Sequence, residues 1–135
     1  MIDSGGQEQQ IEMLVDVLCK RLAEVLPRNR FEVRVENHAV RICGLAERRG
    51  DTIWVTPIAI WKSELPVEDR LQIFLETASR HVQNFVSRHD RPWPTKTAKP
   101  RVSIDEDNIF VWWGGLCRTD AVAALHPISR KEIGV

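Results

Sequence analysis

A chain of 135 residues, 43% hydrophobic and 28% charged, has the length and composition of one folded domain with a real core. Nineteen basic side chains offset nineteen acidic ones, which argues against a dedicated nucleic-acid binder and leaves little charge to keep two copies apart. Cys19, Cys43 and Cys117 are odd in number, widely spaced and without a CxxC pair, which speaks against a disulfide framework or structural zinc site and points to a reducing cytoplasm.

Residues 1–9 form a polar lead containing Gly5-Gly6 and are expected to be flexible. Ile11, Leu14, Val15, Leu18, Leu22, Val25 and Leu26 then follow helical spacing, so a helix is predicted over about residues 9–26, closed by Pro27. Three short alternating runs come next, Phe31–Val35, Ala39–Cys43 and Thr52–Thr56, predicted as an antiparallel meander. Pro57 offers no N–H to continue a ladder, and Ile58–Trp61 is open between an edge extension and an irregular apolar segment. Pro66, Glu68 and Asp69 suit the start of a second helix. Its stripe of Val67, Leu71, Phe74, Leu75, Ala78, Val82, Phe85 and Val86 predicts residues 66–88. Residues 91–100, with three prolines, form an extended connector, and Arg101–Ile104 and Ile109–Trp113 form a hairpin that Gly114-Gly115 stop. Residues 119–135 are expected to be partly loose, with a short helical turn after Thr119-Asp120.

The expected architecture is a single α+β domain over residues 10–118, in the order α-β-β-β-α-β-β. It is a two-layer sandwich: a five-stranded antiparallel sheet with both helices on one face. Val33, Val35, Val40, Ile42, Ile53, Val55, Val102, Ile104, Ile109 and Val111 point toward the helices. No apolar stretch approaches the ~20 residues of a membrane span, so no membrane partner is expected.

No constellation of residues announces a reaction. His38, His81, His89 and His126 do not pair at metal-binding spacing, and no metal or other cofactor is expected. The run Asp105-Glu106-Asp107-Asn108 lacks the length and closing glutamate of a calcium loop and is predicted as a hairpin turn. There is no GxSxG elbow and no P-loop.

What stands out is the sheet face that lacks helical cover. Strand parity places Trp54, Phe110 and Trp112 there, among Arg34, Arg41 and Arg101. Exposed together, three large aromatics make a patch beyond what monomers usually leave bare. Four occupants fit it: the chain's own C-terminal segment (Ala121, Val122, Ala124 and Leu125), a second copy or another protein, stacked nucleic-acid bases, or a small ligand. A protein partner matches the Trp and Arg content best. Nucleic acid is the alternative, using the same face with the basic run of Arg88, Arg91, Lys96, Lys99 and Arg101, opposed by Asp90 alone. Met13, Val17 and Ile73, off the buried stripes of their helices, suggest a secondary apolar patch.

The element order, carried by the helix Leu14–Leu26, the meander Phe31–Thr56, the helix Val67–Val86 and the hairpin Arg101–Trp113, resembles the fold of type III secretion chaperones and YbjN-like proteins. Arg91-Pro92-Trp93-Pro94 is also similar to a feature of small bacterial proteins of this kind. The resemblance implies a homodimer that binds an extended segment of another protein.

Overall fold

The computed structural model describes residues 4–135 except 28, 46–50 and 90. Helical spacing of apolar residues builds α1 (Ser4–Val25), which buries Ile11, Leu14, Val15, Leu18 and Leu22 along one stripe. The helix begins within the lead expected to be flexible; residues 1–3 of that lead lie outside the described part. Gln10 helps hold this early turn. Its amide oxygen accepts from the Trp61 indole at 3.2 Å, and its amide nitrogen donates to the Gly134 carbonyl at 3.2 Å.

β1 (Phe31–Glu36), β2 (Ala39–Gly44) and β3 (Thr52–Val55) form the predicted antiparallel meander, in the order β1-β2-β3. Asn37 (φ 52°) and His38 (φ 61°) make the two-residue left-handed turn that matches strand twist in a tight hairpin. Ile58–Trp61, undecided from sequence, is a short helix α2 that buries Trp61 at 1% exposure. Arg70 donates to the Trp61 carbonyl at 3.2 Å and places its guanidinium 5.2 Å from that indole. α3 (Val67–His89) follows, with Glu68 and Asp69 in its first turn and Arg88 and His89 in its last, both matched to the helix dipole.

β4 (Pro100–Ile104) and β5 (Asn108–Trp113) form the predicted hairpin. Its turn is fixed by Asp105, whose side chain accepts from the backbone N–H of Asp107 at 2.8 Å and of Asn108 at 2.7 Å. Those two donors, that of Asn108 first, hold the Asp105 carboxyl below its usual range.

The class is α+β with antiparallel sheets, but the expected five-stranded sheet is corrected. There is a three-stranded sheet of β1–β3 and a separate four-stranded one. Part of the reason is the other edge of β5. It pairs with β6 (Ala123–Ala124) near Trp113 and with β7 (Ile128–Ser129) near Asn108. With β4 on one side and these strands on the other, β5 has no edge left for the meander. β3, four residues long and followed by Pro57, offers little ladder for an alternative pairing.

The C-terminal segment, expected to be partly loose, puts Leu125, Ile128 and Ile133 into the core at 5%, 0% and 1% exposure. It is held to α1 by Arg21. That guanidinium donates to the carbonyls of His126 (3.1 Å) and Pro127 (3.2 Å) and pairs with the Glu132 carboxylate at 3.0 Å. Ser129 and Glu132 form a reciprocal capping box on the final 3-10 turn, Arg130–Ile133. One continuous core joins α1, α3, both sheets and this segment. α1 lies against β1 and β2, and α3 against β3 and β4.

Arg21→Ala should lower stability by about 1–3 kcal/mol, because it removes the donor to two carbonyls and one of the donors to the Glu132 carboxylate; a shift in denaturant midpoint at unchanged slope reads this. The backbone N–H of Ser129, and then Arg21, hold the Glu132 carboxyl below its ordinary value of 4.5. A depressed carboxyl stabilises fully above the ordinary value and loses that contribution as pH falls through its folded-state value. Protection factors of the amides in residues 128–135, taken against the intrinsic rate at each pH, should therefore fall on acidification before those of the rest of the core, and Glu132→Gln should remove that early step.

Candidate functional site

Register places three rows of side chains across the outer face of the meander. Glu32, Cys43 and Thr52 form one, Arg34, Arg41 and Trp54 the next, and Glu36 and Ala39 the last. Trp54 is 46% exposed, and the Arg41 guanidinium lies 5.7 Å from its ring centre, a cation–π contact. Arg41 also donates to Glu36 at 3.4 Å, while its Nε is buried without a hydrogen-bond partner. Arg34 is ion-paired with Glu32 on the same strand. The side chain of Cys43 lies 3.1 Å from the Thr52 hydroxyl.

The second sheet presents the remaining predicted residues, with Arg101 opposite Trp112 and Ser103 opposite Phe110. Parity is as expected: Ile109, Val111 and Trp113 join the core, whereas Phe110 and Trp112 face away from it. Exposure is not. Trp112, expected to meet water, is only 6% exposed. The chain leaving β5 turns back over this face through Gly114 (φ 81°) and Gly115 (φ 71°). A Cβ on Gly115 would stand 2.7 Å from that of Asp120, so the reversal requires glycine there. The Gly115 carbonyl accepts the Trp112 indole N–H at 3.3 Å, and Arg118 lies 3.4 Å over the Phe110 ring centre. Residues 114–118 provide this cover, together with Ala124, one of the C-terminal residues named from sequence, which pairs directly opposite Trp112.

The six predicted residues thus divide. Trp54, Arg34 and Arg41 share one sheet; Phe110, Trp112 and Arg101 share the other, and no ladder joins the two. The single continuous face expected from sequence is corrected to two, of which only the first leaves a tryptophan open. Arg118 was not anticipated; a Gly-Gly reversal immediately after an aromatic strand is the signal that could have marked it.

The secondary patch also changes. Val17 packs against the core, and half-buried Met13 adjoins Gly134, where an added Cβ would lie 3.8 Å from its sulfur. The final 3-10 turn docks on this side of α1, leaving Ile73 as the exposed member at 41%. Of the basic run, Arg88, Arg91, Lys96 and Lys99 are exposed and Arg101 is half-buried; Asp90 lies outside the described residues.

His89 is the other residue that sequence underestimated. One ring nitrogen lies 2.9 Å from the Phe85 carbonyl and the other 2.6 Å from the Asp51 carboxylate, tying the end of α3 to the start of β3. Burial, and then Asp16, push the Cys19 thiol above its usual range, as for a structural rather than a nucleophilic cysteine. Among the described residues no group of three or more His, Cys, Asp or Glu side chains could hold a metal ion, and no helix is long and apolar enough to cross a membrane. Comparison with protein-family models, with curated proteins and with solved structures gives no match to this chain.

Trp54→Ala should leave stability within about 0.5 kcal/mol of the parent, whereas Trp112→Ala should cost about 2 kcal/mol or more. Equilibrium denaturation of the two variants separates a surface aromatic from a covered one.

Proposed function

We propose that this chain is a non-catalytic protein-interaction domain, chaperone- or adaptor-like, that takes a protein partner on the outer face of the β1–β3 sheet and works as a homodimer in the cytoplasm. The observation that carries the reading is Trp54, 46% exposed on a regular sheet with Arg41 beside its ring and Arg34 next in the row. A tryptophan removed from water against a partner contributes a large apolar area, and neighbouring guanidinium groups orient that partner through several donors each. Arg41 and Glu36 hold part of this geometry before binding, which lowers the ordering cost of association. A specific complex would extend beyond this row to cover roughly 1,000 Å² or more in total. The resemblance to secretion chaperones and YbjN-like proteins belongs to the same proposal.

Affinity capture with the full chain and with Trp54→Ala and Arg41→Ala is the test. Both variants should fold with the parent's melting temperature and lose about tenfold or more of the captured partner. Identical capture by all three would sink the assignment of this face. A salt-dependent gel shift with single-stranded RNA and DNA covers the alternative that exposed Arg88, Arg91, Lys96 and Lys99 favour. Strong retention that falls steeply with salt would replace the protein-binding reading with a nucleic-acid one.

A further inference from the structure

β1 is the edge strand of the first sheet, and among the described residues its main neighbours are β2 and α1. The two-residue turn fixes which of its backbone groups are used. Glu36 faces Ala39 across that turn, so Glu36, Arg34 and Glu32 form the hydrogen-bonded pairs with β2. The amides of the intervening residues therefore point to the open edge. That of Phe31 is taken by the Pro27 carbonyl at 3.1 Å. The N–H and C=O groups of Val33 and Val35, and the carbonyl of Phe31, remain available for another strand. No proline or bulge, two of the usual devices against strand addition, blunts this edge.

Three further features identify what this edge fits. The outer side chains alternate in charge, Glu32, Arg34, Glu36. The inner ones are apolar, and Val35 stands 43% exposed beyond the helical cover. Beside Phe31 and Val33 lies a shallow concavity of ≈ 190 Å³, lined also by Ala23, Glu24 and Leu26.

We propose that two copies of this chain pair antiparallel along β1, with Val33 opposite Val33 of the second copy on the two-fold axis. In this register each copy donates the Val33 N–H to the other's Val33 carbonyl and the Val35 N–H to the other's Phe31 carbonyl. Glu32 falls opposite Arg34 of the second copy, and Arg34 opposite Glu32, so two intrastrand ion pairs become one alternating cluster. On the inner side Val35 falls opposite Phe31 of the second copy, against the concavity beside it. Sliding the strands so that Arg34 faces itself would oppose Glu32 to Glu36 as well, two sets of like charges. Centring on Val35 leaves Val33 opposite Asn37, in the turn, and shortens the ladder. The charge pattern thus selects a single long register, and the contact closes on itself as a two-fold interface must. The two meanders become one continuous sheet with a Trp54 on each half of its outer face.

This rests on the self-association half of the proposed function and not on Trp54. Sedimentation of the full chain at micromolar concentration tests it with Glu32→Arg, Arg34→Glu, the two combined, and Trp54→Ala. Each single reversal should weaken the dimer about tenfold or more by opposing like charges. The double reversal should restore it, and Trp54→Ala should leave it unchanged. The wild-type protein gives a second readout that needs no variant: the Val33 and Val35 amides should exchange slowly when concentrated and quickly when dilute, while Glu32 and Arg34 stay protected throughout. A chain that stays monomeric, single reversals that leave the dimer intact, or a double reversal that fails to restore it would each overturn the proposal. Loss of the dimer in Trp54→Ala alone would move the seam to the aromatic face.

Discussion

Strand β5 bonds to β4 along one edge and to the C-terminal strands along the other, so the meander cannot join it. This occupation fixes the rest of the arrangement. The molecule carries two small sheets under one core instead of a single wide sheet, and each long helix serves chiefly one of them. It also makes residues 123–133 structural. Buried Leu125, Ile128 and Ile133 supply apolar area, while Arg21 and the capping box satisfy the polar groups that come with it.

The same division gives the outer aromatics different roles. On the second sheet Gly114 and Gly115 reverse the chain, and Arg118 and the Gly115 carbonyl cover Phe110 and Trp112. A cation over a ring and an indole N–H on a carbonyl are favourable interactions within the chain, so these aromatics already have partners. Among the described residues nothing comparable crosses Trp54 on the first sheet. Its cation–π neighbour, Arg41, belongs to the adjacent strand and lies beside it rather than between it and solvent.

Sequence was most informative where the signal is local. The stripes of α1 and α3 repeat over several turns, and alternation in β1, β2, β3 and β5 tells outward from inward residues, including exposed Trp54 and the buried Ile109 and Val111. It failed where pairing is long-range or elements are short. β6 and β7 have two residues each, too few for any period, and Leu125, Ile128 and Ile133 are spaced by chance of connection rather than by helical or strand repeat. α2 has four residues and follows a proline, which left strand and loop as the apparent choices. The Arg118–Phe110 contact and the Asp51–His89 link depend on how the chain returns in space, which composition does not record.

The unequal burial of the tryptophans has an optical consequence. Trp61 and Trp113 are sealed at 1% and 0% exposure and Trp112 nearly so, while Trp54 stands open at 46%. A collisional quencher such as iodide would reach Trp54 far more readily than those three, and its emission would lie furthest to the red. The unlabelled protein thereby carries its own indicator of occupancy on the first sheet, since any molecule settling there would shield that fluorophore and shift its light toward the blue.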